Sequence, residues 1–195
     1  MAFRGKVLLP LFLMVVTASA VAAEDWTVGA SFGLVNDVER DFRLDEFDPR
    51  DGNGWVDFEL EDRVLLRGMI GSIKTSGDNA GRVFEIDDEE VVLPDLDVRI
   101  DYATLGVSYQ FWEGDYTSGI FGGIGGYKVN PYPTSEELAN FRDFHETVFG
   151  WHLGVDGDLR VVSRLSIVGR LTYHKIRSET GRELVSANLG ALFRF

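Results

Sequence analysis

The sequence predicts an all-β chain: an eight-stranded antiparallel up-and-down transmembrane β-barrel. Three observations carry this expectation. Apolar and polar residues alternate with a period of two beyond residue 23, the connections between alternating segments are short and long in turn, and negative charge gathers in the long ones.

Residues 1–23 read as a cleaved signal peptide. Arg4 and Lys6 give a basic start, residues 7–16 form an apolar run, and residues 18–23 offer small-residue cleavage sites just before Glu24. The run is too short for a membrane helix, which needs about 20 residues. No cysteine occurs in the 195 residues, so a lipoprotein anchor, disulfides and cysteine-based metal sites are excluded. Residues 24–195 then form one domain, the barrel. Without Arg4 and Lys6 it carries 17 Lys and Arg against 32 Asp and Glu, a net −15 that repels nucleic acid.

The strands are expected near 25–35, 54–60, 64–75, 98–112, 117–129, 147–160, 165–177 and 183–195. Strict alternation marks a strand with two unlike faces. In the last strand Val185, Ala187, Leu189, Ala191, Phe193 and Phe195 share one face, while Ser186, Asn188, Gly190 and Arg194 share the other, with Leu192 out of character. Near the middle, Phe149, Trp151, Leu153, Val155 and Leu159 oppose Gly150, His152, Gly154, Asp156, Asp158 and Arg160. The first strand sets Trp26, Val28, Ala30, Phe32 and Leu34 against Thr27, Gly29, Ser31 and Gly33. For 117–129 the pattern leaves the outward face open. A soluble sandwich also alternates, but here the polar face is crowded with Gly, Ser and Thr, and aromatics gather near strand ends. Both suit the narrow lumen and interfacial girdles of a membrane barrel.

Segments 61–63, 113–116 and 161–164 read as tight turns, 36–53, 76–97 and 130–146 as long loops, and 178–182 as a short one. The four connections opposite the tight turns hold 20 acidic and 6 basic residues, leaving the remainder of the domain with 12 and 11. Near-neutral staves and acidic loops at one end fit a barrel in a bilayer, with both termini on the periplasmic side.

Turn lengths fix register, and register pairs charges. Around 161–164, positions summing to 326 set Asp156 opposite Arg170 and His152 opposite His174. Around 61–63, a sum of 124 sets Asp57 opposite Arg67, and a slip of two offers Glu59 instead. Such pairs lie within contact range on one face. They read as a lumen ion-pair network: either a polar gate or, preferred here, a plug, since an eight-stranded interior is just wide enough for side chains. Removing Arg170 alone should strand the Asp156 carboxylate.

Catalytic and metal motifs are incomplete. Asp48, Asp51, Asn53 and Asp57 with Gly54 approach a calcium loop, but Pro49 takes the first ligand position and Leu60 the twelfth. The run Glu85, Asp87, Asp88, Glu89 and Glu90 reads as a solvated acidic loop. No cofactor and no resident metal is expected.

At the C-terminus, Asn188, Gly190, Phe193 and Phe195 follow a polar-x-Gly-x-x-aromatic-x-aromatic pattern. It resembles the signal by which the barrel-assembly machinery recognises outer-membrane proteins. Over residues 24–195 the chain resembles the small eight-stranded outer-membrane barrels of OmpA/OmpX type, without the periplasmic peptidoglycan-binding domain that follows the barrel in the OmpA type. That resemblance implies the cell outer membrane of a Gram-negative bacterium, contact with its lipid and lipopolysaccharide, and a monomer. Lipid A deacylases on barrels of this size use a His-x-Ser dyad. Here His174 precedes Lys175 and Ile176 with Ser178 four positions on, and neither His145 nor His152 has the serine, so no enzyme is expected. A structural or surface-interaction role through the acidic loops is the leading expectation. A narrow channel (porin) for small solutes comes second, and a lipid-modifying enzyme third.

Overall fold

The computed structural model describes residues 26–38, 48–75, 83–86, 89–92, 97–112, 114–132, 146–177 and 182–195. The signal peptide expected at 1–23 lies outside them. Among the described residues ten strands run in chain order: β1 Trp26–Asp37, β2 Asp48–Glu61, β3 Val64–Thr75, β4 Val83–Ile86, β5 Glu89–Val92, β6 Asp97–Trp112, β7 Tyr116–Tyr132, β8 Glu146–Val162, β9 Leu165–Ile176 and β10 Arg182–Arg194. Eight of them close an antiparallel barrel in the order β1-β2-β3-β6-β7-β8-β9-β10, and β10 returns to β1. The remaining two, β4 and β5, pair only with each other, as a small hairpin in the connection between β3 and β6.

Closure satisfies the backbone. A barrel abolishes the unpaired edge that any open sheet presents. Phe32 stands opposite Leu189 at the β1–β10 seam, and the Phe195 amide donates to the Trp26 carbonyl at 3.2 Å. Both chain ends of the barrel and the turns at 62–63, 113–115 and 163–164 therefore share one rim, the turn end. The other rim, the loop end, carries the connections between β1 and β2, β3 and β6, β7 and β8, and β9 and β10.

Two expected loops are shorter than their sequences suggest. The stretch 48–53 is rich in turn-forming residues (Asp, Pro, Gly, Asn), yet it forms the loop-end half of β2. Pairing to β1, and from Asp51 onward to β3 as well, outweighs local propensity, and a register shift near Pro49 accommodates the proline. Asp51 therefore leaves the acidic loop for the lumen. Likewise β7 runs on to Tyr132, and the 76–97 connection contains β4 and β5.

The two faces of the wall differ as the alternation requires. Phe32, Leu105, Val107, Ile120, Ile124, Leu153, Leu171 and Leu189 are exposed on the outside. The face of β7 left open by the sequence is settled by burial: Ile120 and Ile124 point out, Phe121 and Tyr127 in. The interior is far less polar than a period-two reading suggests. Trp55, Met69, Ile73, Ile100, Tyr102, Phe121, Tyr127, Ile176 and Leu184 all face inward and form one packed cluster.

Glycine on the inner wall makes room for this cluster. A Cβ at Gly29 would fall within the Trp55 ring, one at Gly71 within Tyr102, and one at Gly154 within Phe121. Each glycine is the cross-strand partner of the ring it accommodates: Gly29 with Trp55, Gly71 with Tyr102, Gly154 with Phe121. The rings lie flat against bare backbone, which lets an eight-stranded lumen hold side chains this large.

Candidate functional site in the barrel lumen

The lumen is layered. At its centre stands a four-membered charge cluster. Arg67 on β3 grips Asp57 on β2 with two parallel bonds, Nε to Oδ1 at 2.6 Å and Nη2 to Oδ2 at 2.8 Å. The third bond of Arg67 crosses the lumen, Nη1 to Asp156 Oδ2 on β8 at 2.6 Å. Arg170 on β9 reaches the same carboxylate oxygen at 3.2 Å and donates to Asn53 Oδ1 at 3.2 Å. Its guanidinium lies 3.7 Å from the Trp55 ring centroid, and Phe121 packs between both arginines, 4.8 Å from Arg67 and 4.9 Å from Arg170. Such stacking keeps a planar cation close to π density where water is scarce.

The hairpin registers place these groups where the turn lengths put them: Asp57 opposite Arg67, Asp156 opposite Arg170, His152 opposite His174. The cross-lumen bond from Arg67 to Asp156 joins residues 89 apart and has no sequence signal. Three expected members of the network stand outside it. Glu59 is exposed near the turn end and pairs in register with Leu65, while Arg67 is fully engaged by Asp57 and Asp156. His152 and His174 face each other with ring centroids 5.8 Å apart, but they belong to an aromatic layer and not to the ion pairs. His174 packs on Tyr102 at 5.2 Å and its Nδ1 meets the Tyr127 hydroxyl at 3.2 Å, while His152 packs on Phe121 at 5.8 Å.

Beside that layer runs a polar seam that the sequence did not reveal. Asn188 donates Nδ2 to Asp51 Oδ2 at 2.8 Å, and Ser31 donates to Asn53 Oδ1 at 2.8 Å. Nearer the turn end, Arg194 holds Asp158 at 2.5 Å and also bonds Ser166. Among the described residues, the non-exposed charges facing inward are four carboxylates (Asp51, Asp57, Asp156, Asp158) and four guanidiniums (Arg67, Arg170, Arg182, Arg194). Charges confined in a narrow lumen must be compensated, and here the signs balance.

The two ends of the lumen are unlike. Near the turn end a cavity of about 40 Å³ is lined by Thr27, Asp57, Arg67, Gln110, Asp156, Asp158 and Arg194, room for about three waters. Towards the loop end, Ile73, Ile100, Ile176 and Leu184 converge, each at most 1% exposed, with Val35 and Val98 beside them. Together these side chains form an apolar layer of the packed interior.

The residues matching the terminal assembly pattern divide between the two faces. Asn188 and Gly190 lie on the inner face of β10, where Asn188 holds Asp51 and Gly190 abuts the backbone of β1. Phe193 and Phe195 lie outside, 5.1 Å apart and edge to face. His145, Ser178, Asp87 and Asp88 lie outside the described residues. Among the described residues no group of three or more His, Asp or Glu is placed to hold a metal ion.

No protein-family model matches the chain, and no characterised protein compared by sequence matches it. Solved structures do match. Neisserial surface protein A superposes with a TM-score of 0.57 at 9% identity, over 89% of this chain and 98% of that one. The fold is that of the small outer-membrane barrels. A major outer membrane protein of Thermus thermophilus gives a TM-score of 0.56 at 14% identity, over 88% and 98% of the two chains. The N-terminal β-barrel domain of Pseudomonas aeruginosa OprF gives 0.50 at 13% identity, over 87% and 97%. With so few identities, what the chains share is the wall: strand number, order and closure.

Proposed function

We propose that this protein is an integral outer-membrane barrel with a filled lumen, acting as a structural or surface-interaction protein through the acidic connections at its loop end. The observation that carries this reading is the apolar layer of Ile73, Ile100, Ile176 and Leu184 above the Asp57–Arg67–Asp156–Arg170 cluster. A pore needs continuous water, and this arrangement supports a plug. The exterior supports the setting: a continuous apolar belt with Tyr109, Phe111, Trp112 and Tyr116 exposed towards the turn end, where an interfacial girdle belongs. In this reading export follows cleavage close to Glu24, Phe193 and Phe195 present the terminal signal to the assembly machinery, and the finished barrel is a monomer among lipid and lipopolysaccharide. The buried histidines support a non-catalytic role, since His174 is fully buried beside Tyr102 and Tyr127.

Conductance in planar bilayers tests the reading. Refolded wild type is expected to show no steady current. Asp156→Ala/Arg170→Ala is expected to stay silent too, because the apolar layer remains. Steady unitary conductance from wild type would replace this function with that of a narrow channel.

A further inference from the structure

We infer that the loop-end exterior of β3, β6 and β7 binds a phosphate-bearing lipid of the outer leaflet, through Lys74, Arg99 and Lys128 above a shallow trough at Ala103 and Gly126. The inference rests on the outer-membrane reading above and adds a site to it. Lys74 stands directly opposite Arg99, and the row below runs Ser72, Asp101, Lys128 across the same three strands. Lys74, Arg99 and Lys128 are exposed on the outer face. Asp101 and Ser72 both engage Nε of Arg99, at 2.8 and 3.1 Å. Among the described residues its two terminal nitrogens are left as the fork that suits a phosphate.

Three cations grouped around the Asp101 carboxylate run against the grain of a chain with net charge −13. The far wall is different. There Lys175 is neutralised by Glu183 at 2.7 Å, and Trp151 packs on Tyr173 at 5.5 Å.

Height places the cluster at a headgroup. On β6 the outward residues from Ala103 to Phe111, and Trp112 after them, are apolar or aromatic and exposed. Nine steps of about 3.3 Å at a tilt of about 35–45° amount to roughly 21–24 Å, close to the apolar band of a barrel, about 25 Å. Asp101 and Arg99 begin where the hydrocarbon ends.

Beneath them Ile70, Ala103 and Gly126 are paired across the strands, and nothing lies within 4 Å of where a Cβ of Gly126 would be. Leu105 and Ile124, each 58% exposed, stand in the next outward row. A lipid presents phosphate to the cations and an acyl chain to the trough at once, which an inorganic anion does not.

The test uses the full mature chain refolded in zwitterionic detergent. Three probes are compared: phosphorylated lipid A, its dephosphorylated form with the same acyl chains, and inorganic phosphate. Bound lipid is read by native mass spectrometry, and folding by the heat-dependent gel shift. Wild type is expected to retain the phosphorylated lipid alone. Lys74→Gln/Arg99→Gln/Lys128→Gln should weaken retention by roughly tenfold to a hundredfold, the typical strength of three interfacial cations. Gly126→Leu should also weaken it, and Arg160→Gln/Arg164→Gln at the turn end should not. Should the triple variant misfold, Arg99→Gln alone, with a smaller loss, decides. Equal retention by wild type and the charge variants overturns the site, as does equal retention of the dephosphorylated lipid. Full displacement by inorganic phosphate, with Gly126→Leu behaving as wild type, overturns the lipid assignment. Cell fractionation tests the outer-membrane reading separately, so the two can fail independently.

Discussion

Replacing Arg67 with methionine should destabilise the barrel more than replacing both Arg67 and its partner Asp57. Arg67 supplies two of its three bonds to Asp57, a residue 3% exposed. Without the guanidinium, Asp57 keeps one long hydrogen bond, from Thr27 Oγ1 at 3.4 Å, and whatever water enters the adjoining cavity. Breaking a buried pair from one side costs about 3–5 kcal/mol, and the neighbouring cavity argues for the lower figure, about 3 kcal/mol. Asp57→Asn leaves Arg67 bound to Asp156 and should cost about 1.5 kcal/mol, a charged hydrogen bond's worth. Asp57→Asn/Arg67→Met leaves the Asp156–Arg170 pair intact and the cluster neutral, so it too should cost about 1.5 kcal/mol. The coupling between the two positions is then about 3 kcal/mol. Arg170→Met should be milder than Arg67→Met, because Asp156 retains Arg67 at 2.6 Å. The sequence alone ranks these the other way for Asp156, since register names Arg170 as its partner. Urea unfolding of protein refolded in vesicles, followed by tryptophan fluorescence, gives the four free energies. Single-variant losses that sum to the double within about 0.5 kcal/mol would mean the pair carries no coupling and the cluster is a solvated ornament.

Three further outcomes are expected. Gly29→Ala, whose methyl would meet the Trp55 ring, should lower the urea midpoint by the equivalent of about 1–3 kcal/mol, whereas Gly68→Ala, with nothing near its Cβ, should change it little. Phe195→Ser should slow assembly in cells and leave unfolded chain in the periplasm, while the purified, refolded barrel keeps wild-type heat resistance; an unchanged assembly rate in pulse–chase would remove Phe195 from the signal. Deleting residues 78–90 removes β4 and part of β5, which pair only with each other, so heat resistance should hold. Calcium binding measured by titration calorimetry should fall if the acidic run at 85–90 binds the ion, and equal heats from both proteins would make that run a passive cover.

The alternation of residues 185–195 determined by itself which side of β10 faces the lumen, because successive side chains on a regular strand point to opposite faces. Short turns likewise pointed to the pairings of Asp156 with Arg170 and His152 with His174, and narrowed the partner of Arg67 to Asp57 or Glu59, because a tight hairpin leaves few registers. Both are local properties, written within about twenty residues of chain. Tertiary structure decided the rest. The bond from Arg67 to Asp156 depends on closure and shear, which bring β3 and β8 face to face across the lumen. The layer of Ile73, Ile100, Ile176 and Leu184 breaks the polar-inside pattern, because apolar side chains from four strands meet and pack against one another there. Residues 48–53 became strand because β1 pairs along the stretch and β3 pairs with 51–53, which their turn-rich composition cannot announce. The inner-wall glycines looked like lumen filler, yet each of Gly29, Gly71 and Gly154 is a bare patch against which a ring from the next strand lies. A residue's own chemistry selects its face, but what it touches there is fixed only when the sheet has closed.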